Sequence, residues 1–173
     1  MTYLDLIDKI VEKYPWSARW WRLKEVVVSN GSRAWSVRDI AERAGEGIQA
    51  MGCTGQSQNG EWHYAFWDLD VGDHGTESYS DINTAIFAAK RLCRFLDGYR
   101  EIRKSKSGNG IHVRQQFKEP MPADFPMADY CKDWAKRVEL RADGSPLGRQ
   151  VAWLWCRPPW KEGAFEEVEH YEE

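Results

Sequence analysis

From Trp62 onward the chain alternates strand-like and helix-like patterns in one order, and that order limits the folds open to it. Trp62–Asp70 (WHYAFWDLD) alternates aromatics, apolars and acids in the manner of a strand. Asp81 or Asn83 can cap a helix running to about Asp97, with Ile86, Ala89, Leu92, Cys93 and Leu96 on its apolar face and Gly98 as its stop. A short strand over Tyr99–Arg103 leads into the polar turn Ser105–Gly110, and Ile111–Phe117 reads as the next strand. Pro120, Pro122 and Pro126 punctuate a loop before a helix over Met127–Val138, and Val151–Cys156 ends the pattern as a strand. The order β-α-β-β-α-β places the chain in the α+β class.

That order is the split βαβ arrangement of a ferredoxin-like or RNA-recognition-like sheet. Ahead of it, residues 1–61 read as a helical or mixed accessory portion. Leu6, Ile7, Ile10, Val11 and Tyr14 fall at helical spacing until Pro15, and Ser36 can cap a second helix carrying Val37, Ile40, Ala41, Ala44 and Ile48. Residues 62–163 form the core unit, and residues 164–173 read as an acidic tail or linker. The tail is set off by charge: Glu162–Glu173 holds six glutamates and neither Lys nor Arg, in a chain whose net charge is −3. Between Lys90 and Lys118, by contrast, nine basic residues face two acids. Such a segment reads either as a surface that meets phosphate or as a solvated basic helix face.

Composition removes several classes. A chain of 173 residues with 42% apolar and 29% charged residues is globular rather than disordered. No apolar run approaches the ~20 residues of a membrane span, and the N-terminus lacks the basic and apolar regions of a signal peptide. Cys53, Cys93, Cys131 and Cys156 include no CxxC pair, so reduced thiols are expected rather than a zinc ribbon. The expectation is a cytoplasmic protein.

Two constellations carry chemistry. In Asp68-Leu69-Asp70, strand alternation puts both carboxylates on one face. Adjacent carboxylates raise one another's pKa unless a cation lies between them, and Mg²⁺ or Mn²⁺ with oxygen ligands resolves that conflict. The pair also reads as two solvent-facing acids at a strand end; Asp73 and His74 fall in the loop that follows. The second constellation is Ser105-Lys106-Ser107-Gly108-Asn109-Gly110-Ile111-His112. Two glycines permit a turn whose N–H groups can wrap a phosphate, with donors from Ser107 and Asn109 and charge from Lys104 and Lys106. His112 follows on a strand whose register can bring it to the carboxylates, although a hairpin turn with a core histidine fits the same residues. There is no Gly-Lys-Ser/Thr of a P-loop, and the glycines do not open a helix as a dinucleotide fingerprint requires.

An apolar strand ending in Asp-x-Asp, a helix, then Ser-Gly-x-Gly-x-His on a strand resembles the catalytic core of the archaeo-eukaryotic primase (primase-polymerase) superfamily, as in its viral and plasmid members. Asp68 and Asp70 match that family's first motif, and Ser107 and His112 its second. Asp143 stands for the third acid with Glu139 as its rival, and Arg157-Pro158-Pro159 stands where the family has an Arg-x-Pro-Gly-like segment, with Pro159 in place of the glycine. The resemblance runs over about residues 62–163. It implies a DNA primase or primase-polymerase, a nucleotidyltransferase making short primers on a single-stranded DNA template from NTPs or dNTPs. It implies further that Asp68, Asp70 and Asp143 hold Mg²⁺ or Mn²⁺ in a two-metal site, and that Lys106, Ser107, Asn109, His112 and Arg157 grip the nucleotide. A helicase partner or a fused domain is compatible with it. Trp16, Trp20, Trp21 and Trp160 read either as base-stacking platforms or as packing.

Two other readings use the same sheet: a non-catalytic single-stranded nucleic-acid-binding module, and a metal-dependent nuclease with the same acids. The strand around His112 lacks the paired aromatics of an RNA-recognition sheet. The four histidines form no His-x-His pair, which a replication-initiator nuclease would need.

Overall fold

A computed structural model describes residues 3–21, 26–29, 34–35, 50–57, 59–72, 78–141, 152–156 and 163–172. Helices α1 (Tyr3–Lys13) and α2 (Ala18–Trp21) flank a 3₁₀ turn, Pro15–Ser17. Then come β1 (Val26–Ser29), β2 (Ala34–Trp35), β3 (Ala50–Cys53), β4 (Trp62–Leu69), α3 (Ile82–Phe95), β5 (Tyr99–Lys104), β6 (Ile111–Met121), α4 (Met127–Arg137), β7 (Ala152–Cys156) and β8 (Glu167–Tyr171). The fold is α+β, with two antiparallel sheets ordered β2-β1-β3-β7 and β4-β6-β5-β8. The helix expected from Ser36 lies outside the described residues. No helix among the described residues is long and apolar enough to cross a membrane.

The second sheet contains the expected split βαβ unit. β4 and β5 each pair antiparallel with β6, so they run parallel to each other and α3 makes the crossover. Asp81 caps α3 by accepting the Thr84 N–H at 2.9 Å, and Ala85, Ala88, Ala89, Leu92 and Cys93 form its buried face. The strand β4 is apolar at nearly every position because both of its faces are covered. Ala65, Trp67 and Leu69 join the core under α3 and α4. Tyr64 and Phe66 point the other way, into a second core with Ile10, Trp20, Trp21, Met51, Cys53, Ala152 and Leu154. There the Tyr64 hydroxyl donates to the Cys53 carbonyl at 2.8 Å, tying β4 to β3.

Two strands differ from the sequence expectation. Val151–Cys156 was expected to complete the β-α-β-β-α-β sheet, but β7 pairs with β3 in the first sheet. Ala152 and Leu154 supply that sheet's side of the second core, which decides where the strand is placed. The division at residue 61 is thus crossed by β7. The place beside β5 is filled instead by β8, from the segment expected to be an acidic tail or linker. Its glutamates are interleaved with Phe165, which is buried, and with Val168 and Tyr171, which pack on the first core. The glutamates meet the basic stretch: Glu166 lies 3.2 Å from Lys104, Glu167 3.4 Å from Arg103 and Glu169 3.7 Å from Lys90. An acidic strand on a basic edge is a complementary pair, whereas either segment taken alone reads as solvated charge.

Candidate functional site

The end of β4 and the start of β6 fix the site. Asp68 and His112 are register partners, as are Leu69 and Ile111. The turn Ser105–Gly110 joins β5 to β6 beside them. Ser105 organises that turn: its N–H donates to the Gly110 carbonyl at 2.8 Å, its carbonyl accepts from Gly108 at 3.0 Å, and its hydroxyl accepts from the Gly110 N–H at 3.0 Å. Ser107 Oγ accepts the Asn109 N–H at 3.3 Å. Gly108 takes φ +75°, where a side chain is strained. Gly108, Asn109 and Gly110 therefore direct their N–H groups into the turn itself. Contrary to the sequence expectation of a backbone phosphate cradle, the turn presents side chains. Ser105, which holds the turn, stands at the head of the sequence constellation but is given no role of its own there.

These elements enclose a cleft of about 310 Å³. Asp68 lines it from β4 and Asp70 from just past that strand's end, Lys106, Ser107 and Asn109 from the turn, His112 from β6 and Trp153 from β7. Six of the residues expected from sequence thus share one cleft. A second cleft of about 380 Å³, at the far end of β6, is lined by Arg19, Tyr99, Gln116, Phe117, Lys118 and Glu172 and has no such carboxylate pair.

His112 is buried, with Nε2 3.5 Å from Asp68 Oδ1 and, among the described residues, no hydrogen-bond partner on Nδ1. Burial, and then the cations of Arg114 and Lys106, hold its imidazole well below the ordinary histidine range. The ring is neutral at pH 7, so its approach to Asp68 is a contact rather than an ion pair. Phe66 meets the same ring edge to face, with centroids 5.0 Å apart.

Beneath the cleft lies a charged cluster that the sequence reading placed on the surface. Arg114 and Arg103 belong to the basic stretch, yet both are buried. Glu101 Oε1 accepts from Arg114 Nη1 at 2.9 Å and lies 3.2 Å from Arg103 Nε. Arg114 Nη2 donates to the Trp153 carbonyl at 3.2 Å, and Arg103 Nη1 donates to the Phe165 carbonyl at 3.0 Å. Arg103 also lies over the Trp16 ring at 3.7 Å. Its guanidinium is pulled down by burial and supported by Glu101. Glu101 and Arg103 alternate on β5 opposite Arg114 and His112 of β6, so the four share one sheet face, and that face is covered by Trp16, Trp153 and Phe165. This is why these cations do not form a phosphate-binding surface.

No protein-family model matches the chain, and no curated protein matches it. Among solved structures, the fold is similar to the polymerase domain from Mycobacterium tuberculosis Ligase D in complex with DNA. That likeness has a TM-score of 0.45 and 17% identity, covering 76% of this chain and 57% of that one. The chain therefore spans little more than half of that neighbour's length.

Among the described residues, no three His, Cys, Asp or Glu side chains are gathered closely enough to hold a metal ion. Asp68 and Asp70 are two hard oxygen donors in one cleft, a set that suits Mg²⁺ or Mn²⁺ when substrate phosphates and waters supply the remaining ligands. Glu139, the rival third acid, is not among the cleft residues. It follows α4 at φ 55°, and its carbonyl accepts from Arg91 of α3 at 3.4 Å. Asp143, Arg157, Asp73, His74 and Trp160 lie outside the described residues. Of the tryptophans read as stacking platforms, Trp20 and Trp21 are buried in the second core, and Trp16 packs on Phe165.

Proposed function

We propose that the chain is a metal-dependent nucleotidyltransferase, a primase-polymerase that joins NTPs or dNTPs on a single-stranded DNA template. One observation carries the reading: a carboxylate pair and a turn bearing Lys106, Ser107 and Asn109 open onto the same nucleotide-sized cleft, with His112 at its base. Each half alone has an ordinary structural explanation. Together they supply what phosphoryl transfer needs, an oxygen-donor site for a cation beside donors for a polyphosphate.

In this reading Asp68 and Asp70 hold a divalent cation, which when bound neutralises charge at the reacting phosphate and orients the attacking hydroxyl. Lys106 places a positive charge against the polyphosphate, and the Ser107 hydroxyl and Asn109 amide donate to its oxygens. His112 is held in one orientation by burial and by Phe66, so the base of the cleft is preorganised. Asp143 remains the proposed third acid and Arg157 a further phosphate contact.

The test is product synthesis on unprimed single-stranded DNA with all NTPs and dNTPs and Mn²⁺ or Mg²⁺, beside the Asp68→Ala/Asp70→Ala variant. Short products made by the wild type and absent with the folded variant are expected. Shortening of the template without new product would overturn the reading in favour of a nuclease. DNA binding with neither synthesis nor extension of a supplied primer would overturn it in favour of a binding module.

A further inference from the structure

Trp153 stands apart from the cleft's other lining groups. Asp68, Asp70, Lys106, Ser107 and Asn109 offer carboxylates, an ammonium, a hydroxyl and an amide, which suit a cation and phosphates. Among the described residues, Trp153 is the only Trp, Tyr or Phe lining the cleft. Three features of β7 bring it there. Among the described residues β7 is the edge strand of its sheet, and Ala152 and Leu154 point into the second core, so the residue between them faces away from it. The register shifts opposite Met51 and Gly52, an irregularity of the kind that re-aims side chains. The Trp153 backbone is held from below, its carbonyl accepting from the buried Arg114 at 3.2 Å, while its side chain rests on Phe165.

From this placement we infer that Trp153 is the nucleobase contact of the cleft and gives it a preference for purine over pyrimidine nucleotides. The inference rests on the reading of the cleft as a nucleotide site. Every base presents a π-face to an indole, so the contact tolerates all four bases, and the larger purine ring covers more of it. The polar groups serve the phosphates that all nucleotides share, which leaves discrimination to the one broad apolar surface. Trp153 is then a specificity-determining residue of the cleft.

The experiment measures dissociation constants of the full chain for dATP, dCTP and inorganic tripolyphosphate with Mn²⁺, by calorimetry. It compares wild type, Trp153→Phe and Trp153→Ala. The wild type is expected to bind dATP more tightly than dCTP. Trp153→Ala is expected to lose roughly 5- to 100-fold for dATP, to lose the purine preference and to bind tripolyphosphate as the wild type does. Trp153→Phe is expected to retain most of the dATP affinity. If Trp153→Ala loses dATP and tripolyphosphate affinity equally, the residue only packs on Phe165, and the inference fails while the nucleotide site stands. Unchanged dATP affinity in that variant overturns it in the same way. A wild-type chain that binds neither dATP nor tripolyphosphate overturns the reading of the cleft and this inference with it. Should the alanine variant not fold, Trp153→Leu keeps apolar cover over Phe165 without the ring and bears the same comparison.

Discussion

Arg114 and Glu101 are register partners on β6 and β5, and their side chains meet at 2.9 Å with 0% and 1% of their surface exposed. The same Glu101 oxygen lies 3.2 Å from Arg103 Nε, so one carboxylate serves two buried guanidiniums. Removing one member of a buried ionic group leaves the others uncompensated, which costs more than the pair contributes when intact. Glu101→Gln is therefore expected to lower stability by about 3–5 kcal/mol in denaturant titrations. In the Glu101→Gln background, Arg114→Met should cost far less than it does alone. Additive losses would show that the two residues are energetically independent.

The reversal between α3 and β5 depends on Gly98. It takes φ +74°, and a Cβ there would lie 2.1 Å from the Gln116 carbonyl oxygen. Gly72 has a similar φ of +97°, and a Cβ there meets nothing within 4 Å among the described residues. Gly72→Ala is expected to cost only the left-handed backbone penalty, about 1–2 kcal/mol. Gly98→Ala adds a backbone clash and should cost roughly 3 kcal/mol or more. Equal melting temperatures for the two variants would remove the steric argument.

Burial pushes the Cys93 and Cys131 thiols up from 9.0 to about 12. Below pH 9 these thiols are protonated in both folded and unfolded chains, and their contribution to stability is complete. Between pH 9 and about 12 the unfolded chain releases the protons while the folded chain keeps them. Stability should then fall with rising pH by about 1.4 kcal/mol per pH unit for each thiol. Denaturation midpoints measured from pH 8 to pH 11 check the slope, and Cys93→Ala should reduce it. A slope unchanged in that variant would mean that the thiol is not held protonated by the fold.

Deleting residues 164–173 removes β8, the buried Phe165 and the Glu167 partner of Arg103. The β5 edge is left unpaired beside a buried cation, so the truncated chain is expected to lose cooperative thermal unfolding. A truncated chain that melts within a few degrees of the full one would mean that β8 contributes nothing to the core.

What could be read from the sequence was local. Asp68 and Asp70 share a cleft with Lys106, Ser107, Asn109 and His112 because strand alternation and one hairpin bring them together, and both leave marks over a few residues. The pairing of β7 with β3 is a choice between two sheets, decided by Ala152 and Leu154 finding the second core, and no short window of sequence encodes it. β8 was hidden by its glutamates, whose counter-charges lie about 60 residues earlier in the chain, a distance over which composition gives no pairing signal. Arg103 and Arg114 read as surface cations in the sequence because charged residues are rarely buried without a partner, and nothing in the sequence marks Glu101 as the partner both of them share. Trp153 carries no local mark among ten tryptophans; only the edge position of β7 distinguishes it.

The placement of β7 and β8 also sets the order in which the chain can assemble. β7 pairs with β3 across about 100 intervening residues, and β8 pairs with β5 across about 60, so both sheets depend on long-range closure. On a ribosome, β3 and β5 emerge long before the strands that cover their edges. During that interval the open edge of β3 and the buried-to-be cations of β5 face solvent and neighbouring chains. The acidic residues of β8 follow β7 in the chain and neutralise the β5 edge, so the step that completes the second sheet also removes an exposed, charged edge from reach of neighbouring chains.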